Sequence, residues 1–127
     1  MREKPNPTPW LTYYMTNNKI HLTPYFYKKA KRLLKKYKTL GESLAALEGD
    51  LLENPQMGNS YGANIYKVRV ADASKGTGKS GGFRVITYLV KEAEDGTDIY
   101  LITIFDKSEE ASIKKEDVVK IIRALDL

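Results

Sequence analysis

The chain has 127 residues, enough for one domain around a single core, and its 42% hydrophobic and 29% charged residues exclude wholesale disorder. It contains no cysteine and only one histidine, His21, which excludes disulfides, thiolate metal clusters, a cysteine nucleophile and His-rich zinc sites; no metal or cofactor is expected. The net charge of +5 is segregated, with +9 on residues 1–38, −4 on 39–64, +5 on 65–91 and −5 on 92–127, a pattern that points to a polyanion partner unless the lysine-rich faces are simply solvated.

No apolar run approaches the roughly 20 residues that a membrane span needs, and no signal-peptide pattern opens the chain, so a cytoplasmic protein without membrane contact is expected. Residues 1–17, with Pro5, Pro7 and Pro9 and no periodicity, read as an N-terminal extension, with Met15 available as a second start; residues 18–127 read as the compact domain. Ile20–Leu22 has the makings of a short strand. Thr23-Pro24 supplies an N-cap and a first-turn proline, and Phe26, Ala30, Leu33, Leu34 and Tyr37 then recur at helical spacing between six lysines and arginines. A second helix is predicted from Leu40, Leu44, Leu47 and Leu51, stopped at Asn54-Pro55. Residues 57–64 read as loop. Strands are predicted at 65–71, 82–90 and 98–105 from their β-branched and aromatic content, the last two joined by a tight turn at 94–97. Ser112 is placed to cap a last helix whose apolar face is Val118, Ile121, Ile122 and Leu125. Two helices, three strands and a helix make an α+β domain with a small antiparallel sheet.

Gly76-Thr77-Gly78-Lys79-Ser80 imitates the end of a phosphate-binding P-loop. That motif requires a glycine where Ala73 stands and a helix directly afterwards, where a strand follows instead. The segment is better read as a loop between two strands, with Lys75 and Lys79 available to a phosphate backbone.

Residues two apart in a strand share a face, so Lys67 and Arg69 on one strand and Arg84 and Tyr88 on the next are expected together on an exposed sheet face, with Lys107 at its rim. Such a face suits RNA, whose phosphates pair with cations and whose splayed bases stack on aromatic rings. RNA cleavage needs no metal, because the 2′-hydroxyl can attack its own phosphate if the site moves protons and stabilises charge. Arginine suits the second task. Lysine or tyrosine suits the first if neighbours lower its pKa, as clustered cations do. An RNA-binding face without chemistry is the alternative. His21 reads as packing or surface.

The segments Tyr66–Arg69, Ser74–Tyr88 and Ile99–Ser108, together with the lysine-rich first helix and the Leu-Leu-Glu-Asn-Pro run ending at Pro55, resemble the RelE superfamily of bacterial toxins, and within it the HigB type, over roughly residues 18–125. The resemblance implies helices packed on one side of a small antiparallel sheet and a basic concave face opposite. It also implies a toxin of a type II toxin–antitoxin system that cleaves messenger RNA in the ribosomal A site without a metal. A HigA-like helix-turn-helix antitoxin would be its partner, with operator DNA reached only through that antitoxin. Carried over by position, Lys67, Arg84, Tyr88 and Lys107 (with Asp106 beside it) fall at catalytic positions and Arg69, Lys75 and Lys79 at RNA-gripping ones. Lys28, Lys31 and Lys35 on the first helix are further RNA-binding candidates. ParE-type gyrase inhibitors share the scaffold, so gyrase inhibition without nuclease activity is the alternative function.

Overall fold

The computed structural model describes residues 17–72, 82–91 and 96–127. In chain order the elements are β1 (Lys19–Leu22), α1 (Pro24–Lys36), α2 (Leu40–Glu53), β2 (Asn59–Ser60), β3 (Ile65–Val70), β4 (Phe83–Lys91), β5 (Thr97–Asp106), a 3₁₀ turn (Lys107–Ser112) and α3 (Lys115–Ala124). The architecture is α+β, as the sequence predicts: the short strand expected at Ile20–Leu22 forms one edge of the sheet, and the unexpected two-residue β2 forms the other. The strand order is β1-β5-β4-β3-β2, antiparallel throughout except that β1 runs parallel to β5, with Ile20 beside Ile99 and Leu22 beside Leu101.

Local chemistry accounts for these elements. Thr23 caps α1 by accepting the Phe26 N–H at 3.2 Å, and its own hydroxyl donates to the Leu101 carbonyl at 2.8 Å, so one buried residue starts the helix and ties it to β5. Lys35 and Lys36 in the last turn oppose the negative end of the helix dipole. At the start of α2, Thr39 and Ser43 both donate to the carboxylate of Asp72, at 2.9 and 2.7 Å, joining that helix to the segment after β3. The predicted loop at 57–64 includes β2, whose two residues pair with Lys67 and Tyr66. Two residues carry too little periodicity to reveal a strand. Gly82 has φ +84°, and a Cβ there would collide with the Val70 carbonyl, so only glycine lets β4 start so close to β3. The predicted turn at 94–97 falls largely outside the described residues, as do Lys75 and Lys79; the pairing of Lys91 with Thr97 closes the β4–β5 ladder. Ser112 does not cap the last helix. It ends the 3₁₀ turn, donating to the Glu109 carbonyl at 2.7 Å, and Lys114 takes the N-cap position of α3.

Alternation along the strands divides the core in two. Val68, Val70, Phe83, Val85, Leu89, Ile99, Leu101 and Ile104 face α1 and α2, which contribute Phe26, Ala30, Leu40, Leu47 and Leu51. Ile65, Ile86, Ile102 and Phe105 face the other way and meet Val118 of α3. The helices therefore do not share one side: α3 lies on the face expected to stay open. β5 has one residue more than β4 between the pairs Ile86–Thr103 and Thr87–Leu101. That bulge lets Ile102 reach the second core, while Leu101 and Ile104 stay in the first.

Candidate nucleic-acid interface

α3 covers only part of its face. Its apolar residues meet Ile65, Ile86, Ile102 and Phe105, with Tyr88 and Tyr100 at the margin. Beyond that cover, where β3 ends and β4 begins, a cleft of about 170 Å³ is lined by Asn59, Lys67, Arg69, Arg84, Lys107 and Glu110. Lys67 and Arg69 come from β3; Arg84, directly opposite Arg69, comes from β4. Lys107 and Glu110 come from the 3₁₀ turn. That turn is locked by a capping box in which Asp106 accepts the Ser108 N–H at 2.9 Å and Glu109 accepts the Asp106 N–H at 3.2 Å.

Glu110 organises the cleft. Its carboxylate accepts a hydrogen bond from the Lys67 ammonium and lies 3.8 Å from Arg84 Nε and 4.0 Å from Lys107 Nζ. Three cations from three elements thus converge on one carboxylate. Arg84 also donates from Nη1 to the Phe83 carbonyl at 3.1 Å, and Lys67 Nζ stands 5.0 Å from the centroid of the Tyr61 ring.

These contacts set the protonation states. Burial pulls Lys67 down, but the hydrogen bond to Glu110, assisted by Tyr61, outweighs it and holds the ammonium above its ordinary value. The same hydrogen bond is the main reason that Glu110 is held below its ordinary value; burial opposes it, and the charges of Lys67, Arg84 and Lys107 add to it. The expectation that clustered cations lower the pKa of a lysine fails at Lys67, because the cluster contains a carboxylate.

The sequence-predicted residues divide accordingly. Lys67, Arg69, Arg84 and Lys107 come together. Arg84 is not exposed as expected: its side chain is 5% accessible, closed in by its neighbours and the 3₁₀ turn. Tyr88 shares the face but not the cleft, since it lies four residues along β4, roughly 13 Å away, and packs at the margin of the α3 core. Lys28, Lys31 and Lys35 are exposed on α1, on the opposite side of the sheet. Lys31 and Lys35 rim a separate groove of about 390 Å³ between α1 and α2, floored by Phe26, Leu34 and Leu44. Leu34, expected inside the helix stripe, is 41% exposed there, because the buried face is filled by Phe26 and Ala30 with Leu33. His21 pairs with Asp98 at 2.9 Å and stacks on Tyr100, a packing role at the β1 edge.

Glu110 is the site residue that strand alternation did not find, because it lies past the last strand on a turn without a period. Its one sequence signal is the acidic pair Glu109-Glu110 shortly after the last strand, separated from Asp106 by Lys107 and Ser108. Among the described residues no group of acidic or imidazole side chains could hold a metal ion, and no helix is long and apolar enough to cross a membrane.

Fold and site together define a small α+β protein with a cationic cleft at the open end of its sheet. Residues 18–125 match the family model described as the RelE toxin of the RelE/RelB toxin–antitoxin system. The chain belongs to that family: it is the toxin component of a toxin–antitoxin system, and an antitoxin is its partner.

Proposed function

We propose that this toxin is an endoribonuclease that cuts messenger RNA engaged in the ribosomal A site, the 2′-hydroxyl of one nucleotide attacking its own 3′-phosphate without a metal ion. The observation that carries the reading is the carboxylate of Glu110 held among Lys67, Arg84 and Lys107. A seat that stabilises one oxyanion from three sides has the charge and the donors to stabilise the phosphorane oxygens that develop as the 2′-oxygen attacks. Arg84 suits this role best, being permanently charged and held by its surroundings. Arg69, with Lys75 and Lys79 from the segment between β3 and β4, grips the neighbouring backbone phosphates. Lys28, Lys31 and Lys35 face away from the cleft and so touch a different stretch of RNA, that of the ribosome rather than the message. The antitoxin is of the HigA type, which rests on the likeness of the glycine-rich segment Gly76–Gly82.

The reading is tested by primer extension on a defined message incubated with purified toxin and excess chelator, with and without translating ribosomes. Cuts in register with codons that appear only with ribosomes are expected. An intact message in both reactions, with DNA damage on expression in cells, would replace this reading by gyrase inhibition.

A further inference from the structure

A nuclease of this kind must take a proton from the 2′-hydroxyl, and the cleft narrows the choice of acceptor. Arginine stays protonated throughout the working pH range, and asparagine is no base. Lys67 is held protonated by its hydrogen bond to Glu110, and Lys107 is 44% exposed beside the same carboxylate. Glu110 alone among the described residues lining the cleft carries a carboxylate, and its neighbours favour the charged form.

We propose that Glu110 is the proton acceptor for the attacking 2′-hydroxyl and that Lys67, its hydrogen-bonded neighbour, is the proton donor to the leaving oxygen. The inference rests on the nuclease reading. In the step, the 2′ O–H proton passes to a Glu110 oxygen, the 2′-oxygen bonds to phosphorus, the bond from phosphorus to the 5′-oxygen breaks, and that oxygen takes a proton from Lys67. The products are a 2′,3′-cyclic phosphate and a 5′-hydroxyl. Glu110 is then neutral and protonated and Lys67 neutral and unprotonated. Because the two are in direct contact, the proton passes from carboxyl to amine and restores the starting pair.

The free cleft keeps Glu110 a weak base, since Lys67, Arg84 and Lys107 all stabilise its charge. An arriving phosphodiester changes that balance. It competes for Lys67, Arg84, Lys107 and the adjacent Arg69, and its own negative charge beside Glu110 favours the protonated carboxyl. The substrate itself thereby moves the acceptor toward the basicity that proton transfer needs.

The test is single-turnover cleavage of a ribosome-engaged message by wild type, Glu110→Gln, Glu110→Asp and Lys67→Ala across pH. A parallel binding measurement uses a message with a 2′-deoxynucleotide at the cut. Glu110→Gln should cleave about 10²-fold or more slowly, lose the acid limb of the rate profile, and bind the deoxy message as tightly as wild type or tighter. Glu110→Asp should keep part of the activity and the acid limb. A message with sulfur in place of the 5′-bridging oxygen, a leaving group that needs no proton, should rescue Lys67→Ala and not Glu110→Gln. Cleavage by Glu110→Gln within a few-fold of wild type, its rescue by the sulfur message, or a loss of binding as large as the loss of rate would each overturn the assignment. Failure of wild type itself to cut would instead overturn the nuclease reading on which it stands.

Discussion

The face of the sheet under α1 and α2 is filled with apolar side chains, whereas the face under α3 is filled over one half and charged over the other. On the first face, Leu40, Leu51, Phe83, Val85, Ile99 and Ile104 are completely buried. On the second, a smaller cluster gives way to Lys67, Arg69, Arg84, Lys107 and Glu110. One short helix makes the difference. α3 has ten residues and buries only Val118 fully, so it cannot roof the whole sheet, and the 3₁₀ turn that leads into it carries Lys107 and Glu110 to the uncovered end. One face supplies stability and the other the charge arrangement, on a scaffold where each strand serves both by alternation.

That contrast can be broken or sharpened in several ways. The largest effect is expected in the first core: Leu51→Ala should cost about 3 kcal/mol of unfolding free energy. Val118→Ala in the second should cost about 1–2 kcal/mol, and urea unfolding measures both. Equal losses would mean that α3 carries as much of the fold as α1 and α2.

Arg84→Ala comes next. Because the guanidinium is buried, the variant should lose cleavage by about 10²-fold or more. It should also lose about 1–2 kcal/mol of stability, since Glu110 and the Phe83 carbonyl each lose a donor or a charge. A fully stable and fully toxic variant would remove Arg84 from the site.

A smaller effect concerns pH. Glu110 is held below its ordinary value of 4.5, so its contribution to stability is present above pH 4.5 and is lost as pH falls through the folded-state value. Lys67 is held above 10.5, so its contribution is present below that pH and is lost as pH rises through its folded-state value. The pair therefore stabilises the fold most fully between those limits, and Glu110→Gln should flatten the acid side of a plot of urea midpoint against pH. Parallel acid limbs for wild type and variant would show that the ion pair contributes nothing.

The smallest effect on the fold is expected on α1. Reversing Lys28, Lys31 and Lys35 to glutamate should change stability by less than about 0.5 kcal/mol, while weakening ribosome association and reducing its salt dependence. An unchanged salt slope would leave α1 a solvated face.

Much of this was legible in the sequence, and the gaps have physical causes. Thr23-Pro24 announced α1 because capping is a local interaction, and the three long strands were visible because β-branched runs are. Lys67, Arg69 and Arg84 could be assigned to one face because alternation depends only on position within a strand. Arg84's burial and Tyr88's distance from the cleft could not be read, because both depend on where α3 lies across the sheet, a packing outcome set by residues some 30 positions away. β2 and the parallel pairing of β1 with β5 are short and non-local, so they leave little pattern. Glu110 was hidden for the opposite reason: its local turn is well specified, but nothing local says that the turn ends over Lys67 and Arg84.

The most direct test of the division between the two faces is to locate RNA on the protein. Backbone amide shifts can be followed by NMR while a short 2′-O-methyl RNA, which cannot be cleaved, is titrated into the toxin. Shifts confined to Asn59, residues 65–84 (Lys75 and Lys79 included) and residues 105–111 are the expected result. Shifts centred on α1 and the groove it forms with α2, with the cleft unmoved, would contradict it.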